Sequence, residues 1–281
     1  MALPEGFDLD EFVKRVLAED LGTGGDVTSK ATIDDGAQFT AEMNARQAIV
    51  VAGMEVAAAF FRALDAKVRI ELLANDGDRV THGATLMRLN GNARAMLTAE
   101  RPALNTVQHL SGIATLTRQY VDAIAGTGAM LLDTRKTLPG LRVLEKYGAR
   151  MGGAQNHRMR LDDGVLIKDN HVAACGGVAE AVRRAKAANT GLEVQVEVDR
   201  IDQIEPALTA GADRLLLDNM DPATLREAVA LVHGRVPLEA SGGVTLETIR
   251  FLAETGVNFI SVGRITQSAP AVDIGLDYSW V

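Results

Sequence analysis

Six short apolar runs along the second half of the chain constrain its fold more than any other feature. Each run ends in a polar residue or a glycine, and these end positions are Arg135, Lys168, Glu197, Asp218, Ser241 and Gly263. The last four lie 21, 23 and 22 residues apart, the length of a strand followed by a helix. Strands that are apolar at almost every position are buried on both faces. The pattern predicts a parallel β/α barrel, either incomplete or with one or two strands of weaker pattern.

The first half of the chain mixes helices and strands without strict alternation, which predicts an α+β domain. The apolar spacing indicates helices over residues 8–20, 54–64 and 98–125 and extended segments over 37–51, 68–72 and 85–89. Residues 21–29, LGTGGDVTS, are expected to form a loop. Pro102 is expected in the first turn of the third helix, where proline is tolerated. The domain boundary is expected along this helix.

Composition excludes several classes of protein. The chain has 281 residues, of which 47% are hydrophobic and 23% charged, as in ordinary globular proteins. Its net charge of −8 argues against nucleic acid or an anionic membrane as a partner. The single cysteine, Cys175, excludes an internal disulfide, and no apolar run reaches the ~18 residues of a membrane span. The acidic N-terminus lacks the features of a signal peptide. We therefore expect a soluble, cytoplasmic protein.

Positive charge is concentrated between Leu131 and His171, although the whole chain is acidic. This stretch holds eight lysines and arginines against five acidic residues, a local balance of +3. A basic pocket in an acidic protein predicts a small anionic ligand.

The ends of the predicted strands supply the candidate binding groups. The candidates are the cations Arg135, Lys136 and Lys168, the acids Glu197 and Asp218, the glycine turns Ser241-Gly242-Gly243 and Val262-Gly263-Arg264, and the pair His157-Arg158. In a β/α barrel the strand ends converge on one face, where the chemistry takes place. Glycine turns after the last two strands expose backbone N–H groups that suit a phosphate. Two carboxylates among cations suit Mg²⁺ or a positively charged transition state.

The same residues fall in motifs that resemble one enzyme family over nearly the whole chain. The motifs are EDLGTGGDVTS, TAERPALNTVQHLSGIAT, LLDTRKTLPGLR, KYGARMGGAQNHR, DGVLIKDNH, VQVEV, LLLDN, EASGG and SVGRITQSAPAVDIGLD. In this order they are similar to those of the quinolinate phosphoribosyltransferases. The resemblance implies an N-terminal α+β open sandwich over residues 1–112 and an incomplete parallel β/α barrel over 113–267. It also implies a tail, 268–281, that packs back on the first domain.

The resemblance further implies a reaction and an assembly. Quinolinate and 5-phosphoribosyl-1-pyrophosphate would combine, with Mg²⁺, to give nicotinate mononucleotide, pyrophosphate and CO₂ in de novo NAD biosynthesis. The implied assembly is a homodimer in which Arg101 reaches the partner's site.

The implied roles divide the candidate residues by the group that each would bind. Residues implied for the dicarboxylate are Arg101, Arg135, His157, Arg158 and Lys168, and Thr134 is also implied to contact substrate. Lys136 and Lys168 are implied for the pyrophosphate, and Ser241, Gly242, Gly243, Val262, Gly263 and Arg264 for the 5-phosphate. Glu197 and Asp218 would stabilise the oxocarbenium-like sugar and would hold Mg²⁺, directly or only through substrate and water. Lys136, Lys168, Glu197 and Asp218 form the implied catalytic set.

Three segments depart from the family's usual pattern. The chain reads HRMRLDD, with Arg160 and Asp163, for HRMGLYD; SVGRITQS, with Arg264 and Gln267, for SVGALTHS; and Leu138 in DTRKTLPG for a threonine. None of these departures removes a charged ligand.

Two alternative functions stay open at this point. One is a relative with the same scaffold that acts on nicotinate or is associated with molybdenum transport. The other is a phosphate-binding barrel without catalysis, against which Glu197 and Asp218 argue, because carboxylates weaken simple anion binding.

Overall fold

The structure, a computed structural model, describes residues 3–280, and these divide into two compact units. The first takes in the described residues up to 117 together with 143–153 and those from 268 onward, and the second takes in 118–142 and 154–267. The elements up to the long central helix are α1 (Leu9–Leu21), α2 (Val27–Thr32), β1 (Gln38–Ala45), β2 (Ile49–Val50), α3 (Met54–Leu64), β3 (Arg69–Leu72), β4 (Arg79–Val80), β5 (Thr85–Asn92) and α4 (Ala93–Ala123). Those that follow are β6 (Met130–Leu132), α5 (Arg142–Gly152), β7 (Val165–Ile167), α6 (Asp169–Cys175), α7 (Val178–Ala187), β8 (Val194–Val198), α8 (Ile204–Thr209), β9 (Arg214–Asp218), α9 (Pro222–Val232), β10 (Leu238–Ser241), α10 (Ile249–Ala253), β11 (Phe259–Ser261), α11 (Arg264–Gln267) and β12 (Ile274–Trp280).

The first unit is built on a four-stranded antiparallel sheet in the order β12-β1-β5-β3. Side chains alternate between buried and more exposed along β1, so that Phe39, Ala41, Met43 and Ala45 face the core. This alternation is expected for a sheet with one covered face. The C-terminal strand β12 pairs with β1 over its whole length, which joins the end of the chain to its first strand.

The second unit contains a six-stranded parallel sheet in the order β6-β11-β10-β9-β8-β7. These six strands are the six predicted apolar runs, and the predicted fold class is confirmed. In the part of the chain that the structure describes, the edge strands β6 and β7 do not pair with each other, so the barrel is incomplete. Because the strands are parallel, their carboxyl ends lie at one edge of the sheet, where the predicted binding groups follow. No helix within residues 3–280 is long and apolar enough to cross a membrane.

The long helix α4 begins earlier than predicted, at Ala93, and Pro102 therefore lies inside it. The Asn92 side chain accepts a hydrogen bond from the backbone N–H of Ala95, which satisfies one of the free donors at the helix start. The signal in the sequence for this start is Asn92 itself, three residues before Ala95. The expectation that Pro102 lies in the first turn was wrong, because the Asn92 cap starts the helix more than two turns before it.

Two further predictions about the first unit were wrong in detail. Helix α2 begins inside the predicted loop, where the Asp26 side chain accepts from the backbone N–H of Ser29 and caps the helix. The predicted extended segment 37–51 is divided into β1 and β2, which belong to different sheets. The three predicted helices are present, with α3 over the predicted residues.

Candidate active site

The ends of β7, β8 and β9 bring a lysine and two carboxylates together. The Lys168 Nζ lies 2.6 Å from Glu197 Oε2, in an ion pair whose carboxylate side chain is only 12% exposed. Burial and the nearby charge of Glu197 raise the pKa of Asp218, while Asn219, Lys168 and Lys136 oppose that rise. Three residues of the predicted catalytic set, Lys136, Lys168 and Glu197, therefore act electrostatically on the fourth, Asp218.

Lys136, which follows β6, also belongs to this group. Its side chain lies against Gly263, the glycine that follows β11. A Cβ on Gly263 would stand 2.8 Å from Lys136 Cδ and 3.4 Å from Thr134 Oγ1, so only glycine leaves the lysine stem in place. The Thr134 hydroxyl accepts from the Lys136 backbone N–H, and the Thr266 hydroxyl donates to the Lys136 carbonyl. These contacts fix the backbone from which Lys136 projects.

Two arginines in this unit, Arg135 and Arg158, repel each other as like charges. Burial lowers the pKa of Arg158, and the positive charge of Arg135 lowers it further. Arg158 donates to the Gly164 carbonyl at 3.1 Å. The Nε of Arg135 is buried and, within the part of the chain that the structure describes, has no hydrogen-bond partner. Two partly buried guanidinium groups that repel each other would both be stabilised by a neighbouring anion.

The glycine turn after β10 is held by its neighbour β9. Gly242 has φ of +98°, and a Cβ there would collide with the Asn219 side chain. The Asn219 backbone, itself at positive φ, donates to the Ser241 carbonyl, and its side chain donates to Asp218. The Ser261 hydroxyl donates to that of Ser241 at 2.9 Å. Asn219 thus ties the predicted phosphate turn to Asp218.

The two glycine turns contain backbone N–H groups that make no hydrogen bond within residues 3–280. Among the described residues, the N–H groups of Gly242, Gly243 and Gly263 have no protein acceptor. Val262 differs, since its side chain is only 2% exposed and its N–H donates to the Leu132 carbonyl. The Val262 N–H is therefore already used within the sheet, and a contact of Val262 with the 5-phosphate stays a prediction. Arg264, which follows Gly263, is exposed.

The loop that carries His157 and Arg158 is anchored by an acid that sequence reasoning missed. Asp133, at the end of β6, is fully buried and accepts from the Asn156 side chain and from the His157 backbone N–H. The His157 ring also has partners on both nitrogens, since Nδ1 accepts from the Arg158 N–H and Nε2 contacts Gln195. The structure therefore favours a supporting position for His157 over a direct contact with substrate.

Arg101 lies on α4, in the first unit, whereas the other candidates belong to the second unit. Its side chain is 60% exposed and comes no nearer than 3.8 Å to the Glu100 carboxylate, which accepts instead from the Tyr278 hydroxyl. An exposed arginine of this kind is available to bind outside its own chain.

Two of the departures from the family pattern compensate for each other. Compared letter by letter with HRMGLYD, the segment HRMRLDD differs at Arg160 and Asp162, and Asp163 matches the pattern. Arg160 and Asp162 form an exposed ion pair at 2.9 Å. Asp163 accepts from the backbone N–H groups of Met159 and Arg160, which closes the loop after Arg158.

Comparison with known proteins gives the family. Residues 26–111 match the N-terminal domain of quinolinate phosphoribosyl transferase, and residues 113–277 match its C-terminal domain. The chain belongs to the quinolinate phosphoribosyltransferase family. The predicted family and enzyme class are thereby confirmed.

Similar proteins in this family cover nearly the whole chain. A nicotinate-nucleotide pyrophosphorylase (carboxylating) of Mycobacterium leprae is 44% identical over 94% of this chain and 95% of its own length. A probable enzyme of the same name from Bacillus subtilis is 42% identical over 96% and 93%. The solved structure of nicotinate-nucleotide pyrophosphorylase from Francisella tularensis has a TM-score of 0.93 at 39% identity and covers 99% of this chain and 100% of that one. The agreement in both sequence and fold includes both units.

Proposed function

We propose that this chain transfers the phosphoribosyl group of 5-phosphoribosyl-1-pyrophosphate to quinolinate with loss of CO₂, giving nicotinate mononucleotide and pyrophosphate in NAD biosynthesis. The observation that carries this proposal is the division of the site into two charged parts. One part holds Arg135 and Arg158, and the other holds Lys136, Lys168, Glu197 and Asp218 beside two glycine turns. Two such parts suit a dicarboxylate and a sugar that carries a 5-phosphate and a pyrophosphate.

The arginines would bind quinolinate. A planar guanidinium binds a carboxylate through two parallel hydrogen bonds, and the unpaired Nε of Arg135 is a donor suited to this task. A bound carboxylate would also relieve the repulsion between Arg135 and Arg158. Thr134, whose hydroxyl accepts from the Lys136 N–H, would also contact substrate. In the proposed homodimer, Arg101 would supply a further guanidinium to the partner's site.

The lysines and glycine turns would bind the sugar substrate. Lys136 and Lys168 would hold the pyrophosphate, and Lys168 would exchange its contact with Glu197 for a phosphate oxygen. The free N–H groups of Gly242, Gly243 and Gly263 suit the 5-phosphate, because backbone donors in a glycine turn can approach an anion closely. The Ser241 hydroxyl and the exposed Arg264 lie next to these donors in the chain.

The reaction needs no nucleophile from the protein. The C1–O bond to pyrophosphate breaks with both electrons going to the leaving group, and the quinolinate ring nitrogen bonds to C1. The sugar passes through an oxocarbenium-like state, whose positive charge Glu197 and Asp218 would stabilise. In the pyridinium product, the bond from the adjacent ring carbon to its carboxylate then breaks, CO₂ leaves, and a proton from water replaces it. The enzyme contributes orientation and electrostatics.

A magnesium ion fits the site as part of the substrate complex. No group of three or more His, Cys, Asp or Glu residues able to hold a metal is found within residues 3–280. Two carboxylates are nonetheless enough, since Mg²⁺ keeps several waters and takes other ligands from substrate phosphates. Burial and the charge of Glu197 raise the pKa of Asp218, and a cation would relieve the repulsion between the two carboxylates. Bound there, Mg²⁺ would supply positive charge to the departing pyrophosphate.

From the sequence, we propose that this reaction takes place in the cytoplasm.

The proposal is tested by incubating the purified chain with quinolinate, 5-phosphoribosyl-1-pyrophosphate and Mg²⁺. We expect nicotinate mononucleotide, pyrophosphate and CO₂ in equal amounts. Omitting Mg²⁺ is the control for the proposed ion. Folded protein that forms no mononucleotide from quinolinate would overturn the proposal.

A further inference from the structure

A buried polar network lies in the barrel interior, deeper than the residues of the site. Glu239 is fully buried on β10 and Gln195 is 5% exposed on β8. Glu239 stands two residues before Ser241, and Gln195 two residues before Glu197. Because side chains alternate along a strand, each lies on the same face of the sheet as the site residue that follows it. The network thus forms the layer directly behind the site.

The network holds a buried charge pair. Gln195 Nε2 donates to Glu239 Oε2 at 2.8 Å, and Arg214 Nη2 lies 2.9 Å from the same oxygen without hydrogen-bond geometry. Arg214 is itself stacked on the Phe259 ring, 3.9 Å from its centroid. Burial alone would raise the pKa of Glu239, but His157, Arg214 and Gln195 together lower it, so the carboxylate stays charged.

Stability alone does not account for this arrangement. A buried ion pair is often no better than apolar residues of the same volume. Among the described residues, Glu239 Oε1 and Arg214 Nε are buried without hydrogen-bond partners, which costs further free energy. Since these groups cost the fold free energy, the role of the network is better sought in the groups that it contacts.

The group that this network contacts toward the site is the His157 imidazole. His157 Nε2 lies 3.1 Å from Gln195 Oε1 and 3.4 Å from Glu239 Oε2. Nδ1 lies 2.8 Å from the Arg158 backbone N–H, and Nε2 is therefore the ring nitrogen that faces the two acceptors. The imidazole therefore spans from the barrel interior to the backbone of Arg158.

We propose that Glu239 and Gln195 are positioning residues for the dicarboxylate site: they fix the His157 ring, and His157 fixes the backbone that carries Arg158. This inference rests on the proposed function, in which Arg158 binds quinolinate. It assigns the network no direct contact with either substrate. Disturbing it should weaken quinolinate binding more than binding of the sugar substrate. Although Gln195 and Glu239 lie on β8 and β10, whose ends carry groups proposed for the sugar, the group that they contact toward the site is the His157 ring.

The test is steady-state kinetics of Glu239→Gln, which removes the charge and keeps the volume. We expect KM for quinolinate to rise about tenfold or more, as when a binding group is misplaced by a fraction of an ångström. KM for 5-phosphoribosyl-1-pyrophosphate should stay within about twofold of wild type. Gln195→Met, which breaks the bridge and leaves the Glu239–Arg214 pair, should act in the same direction and serves if Glu239→Gln does not fold.

Two controls separate positioning from a general loss of stability. Leu238→Ala removes a buried side chain from the same strand on its opposite face, and should leave the ratio of the two KM values unchanged. In a His157→Ala background, Glu239→Gln should raise KM for quinolinate by no more than about twofold, because the residue through which it acts is gone.

The outcomes distinguish this inference from the proposed function. A wild-type chain that neither binds quinolinate in calorimetry nor turns it over would sink the proposed function. If wild type is active, equal changes in both KM values for Glu239→Gln, or full additivity with His157→Ala, would overturn the positioning role alone.

Discussion

The Lys168 ammonium group contacts the Glu197 carboxylate at 2.6 Å across the ends of β7 and β8. The lysine is 48% exposed and the glutamate 12%, so the lysine has more freedom to move. In the proposed reaction the pyrophosphate draws Lys168 away, and Glu197 is then left facing the sugar. The ion pair therefore keeps Lys168 available for the negatively charged pyrophosphate and Glu197 available for the positively charged sugar.

Replacing Glu197 with glutamine should lower kcat with little change in either KM. The charge on the sugar develops only in the transition state, and loss of one such electrostatic partner costs roughly 10²–10³ in kcat. Asp199→Asn is the matched control, because Asp199 is an exposed acid two residues further along that pairs with Arg200. We expect its kinetics to match wild type. Unchanged turnover in Glu197→Gln would refute the electrostatic role.

Replacing Asp218 with asparagine should stabilise the unliganded chain at neutral pH while lowering its activity. Burial and Glu197 raise the pKa of Asp218 above its ordinary 3.8, so the folded chain binds this proton more tightly than the unfolded chain. The free energy of unfolding therefore falls as the pH rises from about 3.8 through the raised pKa. Asp218→Asn removes that loss, so its melting temperature should exceed that of wild type at pH 7 and approach it below pH 4.

Asp221→Ala should change the pH dependence of stability in the opposite direction to Asp218→Asn. Asp221 caps α9, and its hydrogen bond from the Thr224 backbone lowers its pKa. Its stabilising effect is present above the unfolded pKa and lost as the pH falls through the lowered one. Asp221→Ala should therefore lower the melting temperature at pH 7 and have less effect at low pH. An Asp218→Asn chain that melts below wild type at pH 7 would contradict the assignment.

Gly242→Ala should weaken binding of the sugar phosphate. An alanine at positive φ costs about 1–2 kcal/mol, and here the new methyl group would also push against Asn219. We expect KM for 5-phosphoribosyl-1-pyrophosphate to rise at least about tenfold, since the turn and Asp218 are displaced together. Gly234→Ala has the same backbone strain, at φ +75°, but open space around it and lies outside the site. Equal kinetics for the two variants would show that the turn does not bind phosphate.

Restoring the usual family residues at positions 160 and 162 should have little effect. Arg160→Gly together with Asp162→Tyr removes an exposed ion pair, and such pairs contribute little. We expect KM for quinolinate to stay within about twofold of wild type. A tenfold change in this double variant would instead mean that the loop's own charges select the substrate.

The six barrel strands could be predicted because strands buried on both faces read as apolar runs. Their ends could also be placed. In the structure Lys136, Lys168 and Glu197 each act electrostatically on Asp218, while their roles in the reaction stay predictions. The start of α4 was missed because Pro102 suggested a helix beginning near Thr98, whereas Asn92 caps it earlier. Local capping was readable in the sequence but competed with a stronger proline signal.

The inner polar layer could not be assigned from sequence, although its signal was present. Gln195 and Glu239 interrupt apolar runs two residues before a predicted site residue. Which side chains they contact depends on strand order and register, which the sequence does not fix. The hydrogen bond of the Val262 N–H to Leu132 could not be predicted either, since it depends on the pairing of β11 with β6.

The central claim is that the arginine pair selects a dicarboxylate. It is tested most directly by giving the chain equal amounts of quinolinate and nicotinate with limiting 5-phosphoribosyl-1-pyrophosphate and Mg²⁺, with the quinolinate labelled in the carboxylate next to the ring nitrogen. We predict one labelled CO₂ for each nicotinate mononucleotide formed, with nicotinate left unused. Mononucleotide in clear excess over labelled CO₂, with nicotinate consumed at a comparable rate, would contradict the claim.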